Sequence, residues 1–296
     1  MENKIENENE NNKKIYKRIV LSGGSLKGIS YIGILRHLEE LNITKTLEEY
    51  IGTSIGALFC LILCIGYTSD DLEKIFMNFD PSTLVDYHLS ELLESFGLDD
   101  GKKLESFIKI FIKNKGHNED ITLKQLYEKT DKKMTFSTCH INTKQNVFLN
   151  YLTFPELPVY LAVRMSMNIP IIFSPVSYKE SLYIDGCMSC NLPVKFLTKE
   201  STNEDSIFVV YLKPDNIHKH QQIENIMEYL STLPKCSVYC IENNDIIYCN
   251  ELLKCKILFL DIKVKFKIDF SITNSCKKDI IEYGYNEAKN FFINNS

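Results

Sequence analysis

Twice within the first sixty-five residues, a short apolar run stops at glycines and passes straight into a helical pattern. Arg18-Ile-Val-Leu21 halts at Ser22-Gly23-Gly24, and from Leu26 apolar residues recur three and four apart through Ile29, Ile32, Leu35 and Leu38 to Leu41. Tyr50-Ile51 then runs into Gly52-Thr53-Ser54-Ile55-Gly56 and a second helical stretch, Ala57 to Ile65, that is apolar on every side. A helix without a polar face needs cover on several sides. Strand, glycine turn and helix in immediate repetition call for neighbouring parallel strands with helices laid over the sheet. The fold class expected is therefore α/β, a three-layer sandwich with a mostly parallel central sheet flanked by helices.

The rest of the chain continues the alternation. Ser69 is read as the cap of a helix that starts at Asp70-Asp71 and ends before Pro81. Residues 102–114 form an amphipathic pattern, with Leu104, Phe107, Ile108, Phe111 and Ile112 on one face. Thr122 caps another helix reaching Lys129. Strands are expected near Thr135–His140, Val147–Leu149, Ile207–Leu212 and Lys256–Leu260, and helices over Glu156–Met167 and Asn274–Phe292. Residues 1–14 are Asn/Glu-rich and read as a disordered polar tail, leaving 15–296 as one domain.

Charge and cysteine content narrow the partners. A formal net charge of −5 argues against nucleic acid, because phosphate binding needs clustered cations. The longest apolar run, Ala57 to Ile65, is far below the ~20 residues a spanning helix needs, so no transmembrane segment is expected. The first residues carry no apolar core of a secretory signal. With ten cysteines, this points to a reducing, intracellular setting, cytoplasmic or peripheral to a membrane. Cys187-x-x-Cys190, Cys236 and Cys240 lack paired zinc spacing, so buried structural thiols are the preferred reading and no metal is expected.

Three motifs carry chemistry. Gly52-Thr53-Ser54-Ile55-Gly56 is G-x-S-x-G between a strand-like run and an apolar helix. There a sharp turn exposes a serine Oγ, and flanking glycines relieve the crowded backbone. The alternative for Ser54 is an N-capping serine in a glycine-rich turn. Gly23-Gly24-Ser25-Leu26-Lys27-Gly28 also leaves a strand and opens a helix. It lacks phosphate-loop spacing, and an oxyanion hole suits it better because a candidate nucleophile follows in the next turn. Asp185-Gly186 ends the strand-like Leu182-Tyr183-Ile184, although Asp-Gly is also a common turn pair. Burial beside a serine hydroxyl would raise an aspartate enough to act as a base.

Together the three motifs, in this order, resemble the patatin-like phospholipase family. Gly23 to Gly28 is similar to its G-G-G-x-[R/K]-G, Gly52 to Gly56 to its G-x-S-x-G, and Asp185-Gly186-Cys187 to its D-G-[G/A]. Arg164 to Pro170, Phe173 to Val176, Asn191 to Val194 and Tyr283 to Phe292 also resemble the family's intervening text, so the likeness runs from about Lys17 to Phe292. It implies a lipid acyl hydrolase with Ser54 as nucleophile and Asp185 as base. Backbone N–H groups of Gly24 and Ser25 would be the oxyanion donors, with Gly23 and Gly28 shaping the loop and Lys27 in the basic position. It implies no cofactor and no metal, and a lipid substrate at a membrane or micelle surface. Two positions depart. Ser25 replaces a glycine, which costs energy if φ is positive there. Cys187 replaces Gly or Ala and would narrow the site.

Two rival readings follow. His218 and His220 come after Asp185 and formally complete a Ser-Asp-His order, but they lie in a polar stretch, Asp215 to Gln222, without an HGGG-type element. The other is a catalytically weak or inactive lipid-binding protein on the same fold. For membrane contact, the 102–114 helix and the alternating stretch Ile262 to Ile272 are candidates. Core packing and a half-buried strand are the preferred readings of the two.

Overall fold

The computed structural model describes residues 15–197, 206–214, 222–253, 255–263 and 270–295. The polar tail, His218 and His220, and most of the 262–272 stretch lie outside them. Ten strands are described: β1 (Arg18–Leu21), β2 (Glu49–Thr53), β3 (Gly97–Asp99), β4 (Lys133–His140), β5 (Gln145–Asn150), β6 (Ile171–Phe173), β7 (Val176–Tyr178), β8 (Ser181–Asp185), β9 (Ile207–Leu212) and β10 (Ile257–Leu260). Eight form one sheet in the order β10-β9-β1-β2-β4-β8-β7, with β5 also paired to β4. From β10 to β4 all neighbours are parallel, and β5, β7 and β8 join antiparallel. β3 and β6 make a separate two-stranded ladder.

Alternation along the parallel strands explains both layers. Ile19, Leu21, Tyr50, Phe208, Val210 and Leu212 pack into the main core. Val20, Ile51, Ile207, Val209 and Tyr211 point the other way, into a second core with Leu192, Val194 and Cys249. Both faces are covered, so these strands read as continuous apolar runs. The helix α1 (Ser30–Glu40) follows a 3₁₀ turn, Ser25–Ile29. The next, α2 (Ile55–Cys64), is buried nearly all round, as its composition requires.

Farther along lie α3 (Ser69–Asn78), α4 (Glu91–Ser95), α5 (Lys102–Asn114), α6 (Leu123–Thr130), α7 (Val159–Ser166), α8 (Ile226–Ile247) and α9 (Asn274–Ile293). Two boundaries correct the sequence reading. The cap of α3 is Thr68, not Ser69: Thr68 accepts from the Asp71 N–H, and the Asp71 side chain accepts from the Thr68 N–H, closing a capping box. α7 begins at Val159 because Pro158 sits in the N-cap position. α8 has no counterpart in the sequence reading, since Pro234 within it argues for a break. α5 buries Leu104, Ile108, Phe111 and Ile112, so its apolar face belongs to the core. Cys190 is buried and Cys187 half-buried, but Cys236 and Cys240, one turn apart on α8, are exposed, against the expectation of burial.

α1 and α9 cross so closely that side chains are excluded at the contact. A Cβ on Gly33 would lie 1.8 Å from the Ile281 carbonyl oxygen, and one on Gly284 2.2 Å from that of Ser30. Backbone cannot yield as a rotamer can. Gly33→Ala is expected to destabilise the protein by at least ~1–3 kcal/mol, as overpacking does, and thermal unfolding checks it. An unchanged Tm would mean that the helices part without loss.

Candidate active site

The parallel pairing of β1 with β2 sets Leu21 beside Gly52, so the two glycine turns open side by side at one edge of the sheet. Ser54 sits at the second turn with φ 54° and ψ −124°, a strained elbow that places it as N-cap of α2. Both flanking glycines are required by close approach. A Cβ on Gly52 would lie 2.5 Å from the Gly56 carbonyl oxygen, and one on Gly56 2.3 Å from that of Leu21.

The sheet continues the alignment. Thr53 pairs with Ser137 on β4, and Thr138 pairs with Asp185 at the end of antiparallel β8. Asp185 thereby comes to within side-chain reach of Ser54, and Ser54 Oγ donates to Asp185 Oδ2 at 2.7 Å. The other carboxylate oxygen accepts from the Cys187 N–H at 2.8 Å. Gly186 allows the turn between them to pass the Ser137 carbonyl oxygen, which a Cβ would meet at 2.3 Å. Asp185 is only 2% exposed, and burial pushes its carboxyl up to about 6, against the downward pull of Ser54, Cys187 and the more distant Arg164.

The first turn is held as firmly. Gly23 N–H donates to Asn191 Oδ1 at 3.1 Å, and a Cβ on Gly23 would collide with Cys187 Sγ at 2.3 Å. Gly24 lies against Leu212, and Gly28 against Ile55 at the start of α2. Lys27 is buried and donates from Nζ to the Lys213 carbonyl oxygen at 2.8 Å, stapling the loop to the end of β9. Among the described residues, neither the Gly24 nor the Ser25 N–H has a hydrogen-bond partner in the protein. Ser25 takes φ 52°, the strained value feared for a residue in a glycine's place.

Four supporting residues carry no role in the sequence reading, although their stretches stand out there. Ser166 Oγ accepts from the Ser54 N–H at 2.9 Å and donates to the Ser137 carbonyl oxygen at 2.6 Å, fixing the elbow. The Asn168 carbonyl accepts from Asp185 N–H at 2.9 Å. Buried Arg164 hydrogen-bonds Asn168 Oδ1 and stacks 4.8 Å from the Phe173 ring centre. Asn191 clamps Gly23 and accepts from Cys187 Sγ at 3.0 Å. The bonds from Ser54 to Ser166 and from Gly23 to Asn191 span 112 and 168 positions, so periodicity carries no trace of those two residues.

A cleft of about 680 Å³, counted out to its mouth, opens at Ser54. Apart from Ser25 and Ser54 its wall is apolar, with Leu58, Phe76, Leu104, Phe107, Met167 and Phe173 among the residues that form it. Cys187 is not on that wall. Its thiol lies against Gly23 and donates to Asn191 Oδ1.

A sequence profile of patatin-like phospholipases matches residues 19–198, which include Ser54, Asp185 and the glycine loop. The chain belongs to the patatin-like phospholipase family. A protein of Invertebrate iridescent virus 6 named a probable lipid hydrolase is 28% identical over 72% of this chain and 77% of its own length. Triacylglycerol lipase 4 of Saccharomyces cerevisiae is 28% identical over 68% of this chain, but over only 24% of its own length. Among solved structures, VipD from Legionella pneumophila superposes with a TM-score of 0.66 at 15% identity, over 93% of this chain and 66% of that one. It is a likeness of fold. Within the patatin-like fold the site therefore has the family's frame with a serine at 25 and a cysteine at 187.

The raised carboxyl has a consequence for stability. Asp185 binds its proton more tightly folded, at about 6, than at the ordinary 3.8. The stabilisation from that proton is complete below 3.8 and is lost as pH rises through 6. Asp185→Asn removes the penalty of a buried charge. It is expected to raise Tm by a few degrees at pH 8 and by less at pH 4.5. A lower Tm at pH 8 would mean that the charge is net stabilising.

Proposed function

We propose that the protein is a serine hydrolase of glycerolipid carboxylic esters, of the phospholipase A or lysophospholipase type, acting through a Ser54–Asp185 dyad. The observation that carries this reading is the 2.7 Å hydrogen bond from a strained elbow serine to a desolvated carboxylate, at the wall of an apolar cleft. Asp185 takes the Ser54 proton as Oγ bonds to the ester carbonyl carbon and the carbonyl π pair moves to oxygen. The resulting oxyanion sits against the Gly24 and Ser25 N–H groups, with the positive end of α2 nearby. Collapse expels the alcohol, which takes the proton from Asp185. Water, deprotonated by the same carboxylate, then releases the fatty acid.

The reading is tested by hydrolysis of a short-chain p-nitrophenyl ester and of phosphatidylcholine vesicles. Ser54→Ala and Asp185→Asn are each expected to lose at least ~10³-fold in kcat/KM, and Ser54→Ala to lose labelling by a fluorophosphonate. The base must be ionised, so kcat/KM of the wild type is expected to rise with pH through about 6 and then level. Full activity in Ser54→Ala would remove the mechanism and bring forward the non-catalytic lipid-binding reading.

Lipid reaches the cleft from an interface. Pro81 and Leu84, which line the cleft, open a segment that carries exposed Leu89, Leu93 (87% exposed) and Phe96. Three large apolar side chains beside a lipid cleft are suited to insertion into a bilayer surface. Leu93→Asp is expected to slow hydrolysis of vesicles by roughly tenfold, about the 1.4 kcal/mol that half-burying leucine and excluding a charge would account for. It should leave the soluble ester unaffected. Equal loss on both substrates would assign the segment to the fold instead.

A further inference from the structure

The glycine loop contains a residue whose conformation and chemistry are both out of place unless it acts. Ser25 holds φ 52°, where glycine would sit without strain. Its hydroxyl oxygen is screened from solvent and has no hydrogen-bond partner among the described residues. A buried unpartnered hydroxyl and a left-handed non-glycine backbone are each unfavourable, and both fall on one residue. That residue lies on the wall of the cleft that also contains Ser54.

The loop has no freedom to relieve either. Gly23 is clamped by Asn191, and Lys27 is stapled to the Lys213 carbonyl. Gly23 also abuts the nucleophile: a Cβ there would lie 3.1 Å from Ser54 Cβ. The Ser25 side chain, by contrast, reaches a new position by a single χ1 step between staggered wells.

We propose that the Ser25 hydroxyl donates a third hydrogen bond to the oxyanion of the tetrahedral intermediate, beside the Gly24 and Ser25 N–H groups. The inference rests on Ser54 being the nucleophile. While the ester carbonyl is neutral, the hydroxyl gains little by turning towards it. When Ser54 Oγ bonds to the carbonyl carbon and the π pair settles on oxygen, a charged acceptor forms next to an unpaired donor. The O–H stays intact throughout, and no proton leaves Ser25. A bond made mainly to the developing charge lowers the barrier without tightening substrate binding. The serine at a glycine position is then a gain in rate retained at the expense of backbone comfort.

Ser25→Gly and Ser25→Ala test this with the short-chain ester and a trifluoromethyl ketone, which adds Ser54 to form a stable oxyanion. Both variants are expected to lose ~10²-fold in kcat, at the lower end for one oxyanion donor, with KM unchanged. Affinity for the ketone should fall by the same factor. Ser25→Gly should also raise Tm, because the strain disappears, which separates lost chemistry from lost folding. Wild-type kcat in Ser25→Gly would overturn the proposal. So would a lower kcat with unchanged ketone affinity, since the loss would then not lie in the oxyanion. Ser54→Ala in the same assay isolates the parent reading: if it still turns over, the nucleophile is wrong. If it is dead while Ser25→Gly is normal, only the third donor fails.

Discussion

Asp185 sets the terms for the rest of the site, because a carboxylate taken out of water is stable only in proportion to what replaces that water. Here the replacement is small. One oxygen accepts from Ser54 and the other from the Cys187 N–H, and Arg164 acts only as a more distant charge. A direct ion pair would have lowered the carboxyl and left it a poor base. Leaving it unbonded would have raised it further and kept it protonated at neutral pH. With only neutral donors from Ser54 and Cys187 and a remote cation against its burial, the carboxyl is pushed up to about 6, which leaves it ionised at pH 7 yet within reach of a proton. The fold gives this balance a position through β8, whose antiparallel register against β4 brings Asp185 opposite Thr138, across β4 from the strand that ends at Thr53 just before Ser54.

The opposing demand is rigidity. Ser54 and Ser25 both hold positive φ on adjacent turns, and such backbone persists only where its surroundings leave no alternative. The surroundings are close backbone contacts: Gly56 against Leu21, Gly52 against Gly56, and Gly186 against Ser137. Hydrogen bonds from the Ser54 and Gly23 N–H groups to Ser166 Oγ and Asn191 Oδ1 complete the restraint. Strain in the two serines and a charge in the aspartate are stabilities given up locally. The large buried sheet, with Phe136 and Phe208 wholly enclosed, supplies the surplus that tolerates them.

What could be read from the chain divides along sequence distance. The elbow, the glycine loop and the Asp-Gly turn are local, since each needs its residues within a few positions. The α/β order followed from alternating strand and helix patterns. The positive φ of Ser25 was legible because glycine is the residue that conformation favours. Ser166 and Asn191 were not, because each acts on a partner reached only through the fold; Ser54 and Ser166 are 112 residues apart. The Thr68 cap was missed by one position because Thr, Ser and two Asp stand in a row, and only side-chain geometry separates them. The place of the Cys187 thiol was not legible for a similar reason. Its neighbour Gly186 predicts a turn, but which side of the loop the thiol takes depends on Gly23, more than 160 positions away.

The cleft carries the remaining step of the argument. Its described wall offers a substrate apolar contact and only two hydroxyls, both at the reacting end. Apolar contact scales with area and has little directional content, so a chain can slide along such a wall at small energetic penalty. Position along the chain must then be fixed where direction exists, at the Ser54 oxygen and the N–H groups of the glycine loop. Those donors meet the carbonyl oxygen only when the ester carbon faces Ser54. An acyl chain seated too deep or too shallow keeps its burial but loses those bonds, and with them the stabilisation of the oxyanion. On the proposed mechanism the site would select register at the ester through the strength of a charged hydrogen bond, and use the apolar wall for affinity alone. A third donor at Ser25, as proposed, would sharpen that selection. It adds directional interaction at the one place where the cleft has any, and it does so with a side chain that the neutral substrate barely engages.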